Sequence, residues 1–293
     1  MDLTLWQPLR RELLRLTSSL FAAPRSGPGA WLAEQAATPR GVKWLAFYGA
    51  TADELALAEY DVVVLDPMFT GVKDLITRRG ARVIGYLSLG EIRLDDPFYT
   101  LLDPAAILEA SPAWPGTRRI DVRHPAWSEL VLGQIIPAII ASRFTGLFLD
   151  TLDTPPFLER QDPAGKPGML RAAVELVRAI RDSYPQLSLL MNRGYELLPA
   201  VVGSIDGLVA ESLIAGSDAD GYKMNSQSDI EAQLSMIKKP TSERKPLPVL
   251  SLDYWDPLDT SMIQKIYLLE RQYGHHPYVG TRLLDRIVPE PIA

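Results

Sequence analysis

Residues 145–153 read TGLFLDTLD and residues 205–212 read IDGLVAES. In each, a short apolar run breaks at an acid, Asp150 in the first and Glu211 in the second. A near-continuous apolar run, not an alternating one, marks a strand buried on both faces, as in a parallel sheet wrapped by helices. If both runs belong to one barrel, both acids stand at its C-terminal mouth, where barrel enzymes carry their reactive groups.

Working outward, the same kind of run recurs at WLAFYG (44–49), YDVVVLD (60–66), RVIGYLSLG (82–90), LSLLMN (187–192), LPVLSLDY (247–254) and PYVGTR (277–282), giving eight strands in all. The intervening segments have helical periodicity. Thr51 and Glu54 read as a capping box after the first strand. Pro167 suits a first helical turn ahead of Leu170, Val174, Val177 and Ile180, with Pro185 as the stop. Ile230, Leu234 and Ile237 share a helical face ended by Pro240, and Met262, Ile263, Ile266, Leu269 and Tyr273 share another, with Gly274 as its C-terminal cap. Pro137 inside PAWSELVLGQIIPAIIASR predicts a kink. The pattern predicts an α/β fold: a single (β/α)8 TIM barrel over 41–293, an N-terminal helix and linker over 1–40, and a long loop after strand 3. That loop, between Gly90 and Pro125, is rich in proline and aromatics, and a long loop on the active face is expected to wall the substrate or cover the rim. Tyr99, Trp114 and Arg118 are its candidate ligand contacts.

The composition excludes several classes. A net charge of −6 lacks the basic footprint that nucleic acid requires. The absence of cysteine removes disulfides, thiolate metal sites and cysteine nucleophiles. No segment approaches the apolar length of a membrane span. His124, His275 and His276 have no metal-ligand spacing, so neither a metal nor another cofactor is expected. The N-terminus, MDLTLWQPLRRELLRLTSSLFAAPRSGPGA, has its apolar run broken by Arg15 and reads as an amphipathic helix and linker rather than a secretion signal.

At the predicted strand ends stand Tyr48, Asp66, Glu91, Asp150 with Asp153, Asn192 with Arg193, Glu211, Asp253 with Tyr254, and Thr281 with Asp285. A lone acid after a strand is most often a turn or cap residue. Acids at six mouths of one barrel share a site, and paired carboxylates there suit glycoside hydrolysis, in which one group is ionised while the other holds a proton. Tyr48, Tyr222, Tyr254 and Trp255 offer flat faces for a pyranose, against the ordinary reading of rim packing.

Taken in order, WLAFYG, YDVVVLD, GYLSLGE, RIDVRHPAW, GLFLDTLD, MNRGYELL, DGLVAESL, VLSLDYWDP and PYVGT resemble glycoside hydrolase family 114 and the related hydrolase domain of the Pel exopolysaccharide modification protein, over roughly residues 41–288. The resemblance implies a (β/α)8 barrel that cleaves within α-1,4-linked galactosamine or N-acetylgalactosamine polymers, and an extracytoplasmic location. By motif, Asp150 and Glu211 are the catalytic carboxylates. The favoured roles have Asp150 attacking the anomeric carbon or stabilising its positive charge and Glu211 protonating the leaving oxygen and then activating water, and the sequence leaves these roles exchangeable. Tyr48, Asp66, Glu91, Asp153, Asn192, Arg193, Tyr222, Asp253, Tyr254 and Trp255 are the expected substrate contacts, with the acids facing a galactosamine-containing, partly cationic chain. Two other classes stay open. One is a barrel that binds glycans without cutting them. The other, least favoured, is an enzyme using a hard cation, for which WDPLD and RLLD offer no glycine-rich phosphate grip.

Overall fold

The computed structural model of the protein describes residues 27–218, 220–242 and 247–291. The amphipathic segment expected at the extreme N-terminus lies, up to residue 26, outside the described residues. Eight parallel strands form one sheet in chain order: β1 (Trp44–Phe47), β2 (Val62–Leu65), β3 (Arg82–Ser88), β4 (Gly146–Asp150), β5 (Ser188–Asn192), β6 (Gly207–Glu211), β7 (Val249–Tyr254) and β8 (His276–Gly280). Each expected strand is found, most of them shortened at one or both ends, and the eighth begins one residue earlier than expected. The first and last strands approach each other and nearly close the barrel. There the Trp44 indole donates to the His276 carbonyl at 2.8 Å, and the Tyr48 amide to the Leu284 carbonyl at 2.7 Å. All four residues of β1 and of β2, and all six of β7, are buried, as strands covered on both faces require.

The helix boundaries refine several sequence expectations. No capping box forms at Thr51: Asp53 caps the one-turn helix Glu54–Leu57 by accepting from the Leu55 amide at 2.9 Å, and Glu54 instead accepts from the Val72 amide at 3.0 Å. The nearer acid takes the free amides and releases Glu54 to hold the next loop. Pro167 stands before the helix Met169–Ser183 rather than in its first turn. Left-handed Gly168 intervenes, and Glu159 accepts from the Gly168 and Leu170 amides, both at 2.9 Å. Pro240 does not end its helix, which runs from Gln227 to Ser242 and tolerates the missing donor within its last turn. Gly274 closes the helix Thr260–Gln272 with φ of 80°. The expected kink at Pro137 takes the form of a π-helical turn, Val131–Ile135, between the helical segments Pro125–Leu130 and Ile136–Ala141.

Two pieces of antiparallel structure went unread in the sequence. The long connection after β3 folds into a three-stranded sheet, with Thr117–Ile120 between Glu91–Arg93 and Ile107–Ala110. After β6 a hairpin pairs Ala215–Asp218 with Gly221–Met224. These strands are three or four residues long and only partly buried, so no apolar run announces them. At the opposite end, the helix Pro28–Ala36 lies across the barrel floor. Its Leu32 is buried in the core, and the Arg82 guanidinium at the start of β3 stacks 4.5 Å from the centre of the Trp31 ring. This helix therefore packs as part of the barrel, although the sequence assigned it to the linker.

Candidate active site

The C-terminal ends of β4, β5 and β6 bring Asp150, Asn192 and Glu211 together. The Asn192 side-chain nitrogen donates to both acids, 2.8 Å from Asp150 Oδ1 and 2.6 Å from Glu211 Oε2. Carboxylates only accept, so the amide must present its nitrogen to the pair. The two oxygens sharing that nitrogen are at most about 5.4 Å apart, 2.8 plus 2.6 Å. Each acid has a second donor: Tyr86 to Asp150 Oδ2 at 2.8 Å, and Tyr254 to Glu211 Oε1 at 2.5 Å. Asn192 is 2% exposed, and its carbonyl oxygen has no partner among the described residues, a cost typical of a functional centre.

The backbone explains how three neighbouring strands aim three side chains at one point. The residue after each is left-handed: Thr151 with φ of 59°, Arg193 with 49° and Ser212 with 53°. Non-glycine residues pay for that conformation, which turns the chain sharply outward once the functional side chain has been set into the mouth. Thr151 is further pinned, since its hydroxyl oxygen accepts from the Gly90 amide at 2.7 Å and donates to the Asp150 carbonyl at 2.7 Å.

Burial and then the charge of Glu211 push the Asp150 carboxyl up to about 6, against the opposing pull of the Asn192, Thr151 and Tyr86 donors. Burial likewise holds Tyr48, Tyr86 and Tyr254 well above the usual phenol range, with the nearby acids adding to the effect, so all three stay neutral donors. Two close carboxyls that keep a proton up to about pH 6, aimed by neutral donors, form an acid–base pair suited to splitting a glycosidic bond. Residues 29–290 match glycoside-hydrolase family GH114. The chain belongs to that family.

As a GH114 member the protein is a glycosidase. It is 23% identical over 257 residues to an uncharacterized protein of Deinococcus radiodurans, with 82% of this chain and 80% of that one covered. Its fold is similar to that of the glycoside hydrolase domain of PelA from Pseudomonas aeruginosa, with a TM-score of 0.75 and 23% identity, covering 85% of this chain and 98% of that one. It is also similar in fold to Aspergillus fumigatus Ega3, solved in complex with galactosamine, with a TM-score of 0.64 and 14% identity, covering 90% and 96% of the two chains.

Around the central pair of this GH114 barrel, the remaining candidates divide. Tyr48 meets the Tyr86 ring edge-on at 5.3 Å and feels the charges of Asp150, Glu211 and Asp66, which locates its hydroxyl at the mouth. Asp66 follows β2 and accepts from the Met68 amide at 2.7 Å. Arg193 and exposed Asp153 form an ion pair at 3.5 Å beside the pair. Tyr222, on the hairpin, packs against Trp255 after β7, with ring centres 6.2 Å apart. Two expected contacts face elsewhere. Glu91 is 6% exposed and accepts from Ser111 at 3.1 Å and Thr154 at 3.2 Å, pinning the antiparallel sheet. Asp253 is wholly buried, on the face of β7 opposite Tyr254, and accepts from the Ile214 and Ala215 amides.

In the long connection, Trp114 is exposed at the sheet's tight turn and Tyr99 opens a short 3-10 turn. Thr281 donates to Asp285 at 2.7 Å, a rim bond. His276 accepts from the Val42 amide at the barrel seam and His275 pairs with Glu270, so both have structural partners. Among the described residues no group of three or more His, Cys, Asp or Glu can hold a metal ion, and no helix is long and apolar enough to cross a membrane. Tyr86 is the functional residue that sequence reading missed. Its signal was a tyrosine interrupting the buried run RVIGYLSLG, two positions before the end of β3.

Proposed function

We propose that the protein is an endo-acting, retaining hydrolase of α-1,4-linked galactosamine or N-acetylgalactosamine polymers, with Asp150 as nucleophile and Glu211 as acid and base. The observation that carries this reading is the single Asn192 nitrogen shared by the two acids. It holds the two oxygens it bridges at most about 5.4 Å apart, as the closer spacing of retaining enzymes requires and short of the roughly 6.5 Å at which inverting enzymes admit a water. Membership of GH114 supports the glycosidase class, and the likeness to Ega3, solved with galactosamine, supports the sugar.

The one proton that the pair holds jointly passes to Glu211 when substrate binds, so that ionised Asp150 attacks the anomeric carbon through Oδ while Glu211 delivers the proton to the departing glycosidic oxygen. The bond to that oxygen breaks, an ester to Asp150 forms, and the leaving chain departs with a hydroxyl. Esterification removes the Asp150 charge, so Glu211, now ionised, takes a proton from water, whose oxygen displaces Asp150 from the anomeric carbon. Tyr86 and Asn192 hold Asp150 still throughout, and Tyr254 holds Glu211. Asp66, Asp153 and Arg193 serve the amino or acetamido and hydroxyl groups of the flanking sugars. Tyr48, Tyr222 and Trp255 supply aromatic faces. Glu91 and Asp253 bind no substrate in this scheme, because both are buried against other protein groups.

The test is digestion of a partly deacetylated α-1,4-galactosaminan by the wild type, Asp150→Asn and Glu211→Gln, with the products sized. The wild type is expected to release short oligosaccharides, and each variant to lose roughly 10²–10⁴-fold in rate. Undiminished cleavage by either variant would remove that acid from the mechanism, and no cleavage by the wild type would reject the substrate.

A further inference from the structure

Behind β7, on the face turned away from the mouth, lies a polar cluster that the hydrolytic scheme does not use. Asp253, Ser251 and Glu270 are each 0% exposed and His275 is 7% exposed. Asp253 Oδ1 accepts two amides, Ile214 at 2.9 Å and Ala215 at 2.8 Å. Its other oxygen is buried with no hydrogen-bond partner among the described residues, and burial followed by the charge of Glu270 holds the Asp253 carboxyl well above the usual carboxylate range. Glu270 Oε2 is in turn 2.6 Å from His275 Nδ1. Burial holds the His275 ring down to about 4, so it is neutral and contributes no compensating charge. Replacing such a buried ionic cluster by apolar side chains is often neutral or stabilising, so its presence calls for a reason other than stability.

The amides it holds give that reason. Glu211 ends β6, left-handed Ser212 follows, and the Ser212 amide still bonds to the Leu252 carbonyl at 2.8 Å. Ile214 and Ala215 come next, at the point where the chain enters the hairpin Ala215–Met224. From the hairpin's far end the Asn225 side chain donates to the carbonyls of Ser212 at 2.6 Å and Leu213 at 3.1 Å. The turn after Glu211 is therefore clamped by Asp253 from behind and by Asn225 from in front. The hairpin carries Tyr222 to Trp255, and Tyr254, the residue next to Asp253, donates to Glu211.

We propose that Asp253 is a positioning residue for glycan cleavage: from behind the sheet it fixes the turn that follows Glu211, and through it both the aim of that carboxyl and the seat of the hairpin bearing Tyr222. The assignment rests on Glu211 and the Tyr222–Trp255 face belonging to the working cleft. A carboxyl suits the post because one of its oxygens accepts both amides at once. Asparagine keeps that acceptor, with its side-chain oxygen toward the two amides.

The experiment compares the full-length wild type with Asp253→Ala and Asp253→Asn by hydrogen exchange in the absence of substrate, and by kinetics on galactosaminan. In Asp253→Ala, exchange over residues 212–226 is expected to rise about tenfold or more while the rest of the barrel is unchanged. Its kcat is expected to fall about 10- to 100-fold, with a smaller change in KM, as a misaimed acid predicts. Asp253→Asn should return both readouts to within about threefold of the wild type. Should Asp253→Ala fail to fold, Asp253→Ser, whose shorter side chain withdraws from the amides but keeps a polar group in the buried cluster, takes its place. Exchange that rises evenly over the barrel, a kcat within twofold of the wild type, or failure of both truncations to fold would overturn the proposal. Exchange needs no substrate, so it tests the clamp even if galactosaminan is not the polymer cleaved.

Discussion

Asn192 is the residue on which the site turns. By donating one nitrogen to two acids it holds like charges close together, and the pair answers by retaining one proton up to about pH 6, held jointly by the two acids. A retaining pair works with one proton shared between its members, so kcat/KM is expected to fall as pH rises through about 6 and the last proton leaves. A pH–rate profile that stays flat from 6 to 8 would contradict this. The same shift has a consequence for stability. The Asp150 carboxyl is raised from 3.8 to about 6, so ionising it costs the folded state more than the unfolded state, and folding loses that increment as pH climbs between the two values. Asp150→Asn is therefore expected to melt above the wild type at pH 7, by up to about 3 kcal/mol, with the advantage gone near pH 4. Thermal melts of the two proteins at both pH values check the sign. Asp150 and Glu211 were legible in the sequence because each ends an apolar run. Asp253 ends one too, yet faces backward: β7 runs one residue further, so Tyr254 rather than Asp253 takes the inward position.

At the scale of elements, the eight strands were readable because strands buried on both faces have no polar alternation to confuse them. The helix ends were read less well where two candidate caps compete, as Thr51 and Asp53 do, because the sequence does not reveal which side chain reaches the free amides. The short antiparallel strands after β3 and β6 are half exposed and carry no periodic signature. The floor helix Pro28–Ala36 also escaped, being nine residues long and preceded by a glycine- and proline-rich stretch that reads as linker. Its packing makes it part of the barrel. Leu32→Ala removes a buried side chain from the floor and is expected to cost about 2–5 kcal/mol. Its kcat should be unchanged, since the site lies at the other end of the strands. Denaturant unfolding and steady-state rates of this variant separate the two effects, and a stability equal to the wild type would mean that the helix is not seated as described.

For the whole molecule, the barrel does what no local motif can: it gathers Asp150, Asn192 and Glu211, which are 42 and 19 residues apart in sequence, at the ends of adjacent strands. The left-handed residues that follow them let the strands end together with their side chains converging. Family membership fixes the reaction class, and the carboxyl spacing carries the claim about its course. The most direct test of that claim is proton NMR of the anomeric signals during the first minutes of galactosaminan digestion by the wild type. Retention through Asp150 predicts that newly formed reducing ends appear first as the α-anomer and reach the β-anomer only by mutarotation, whereas β-anomers appearing first would contradict it.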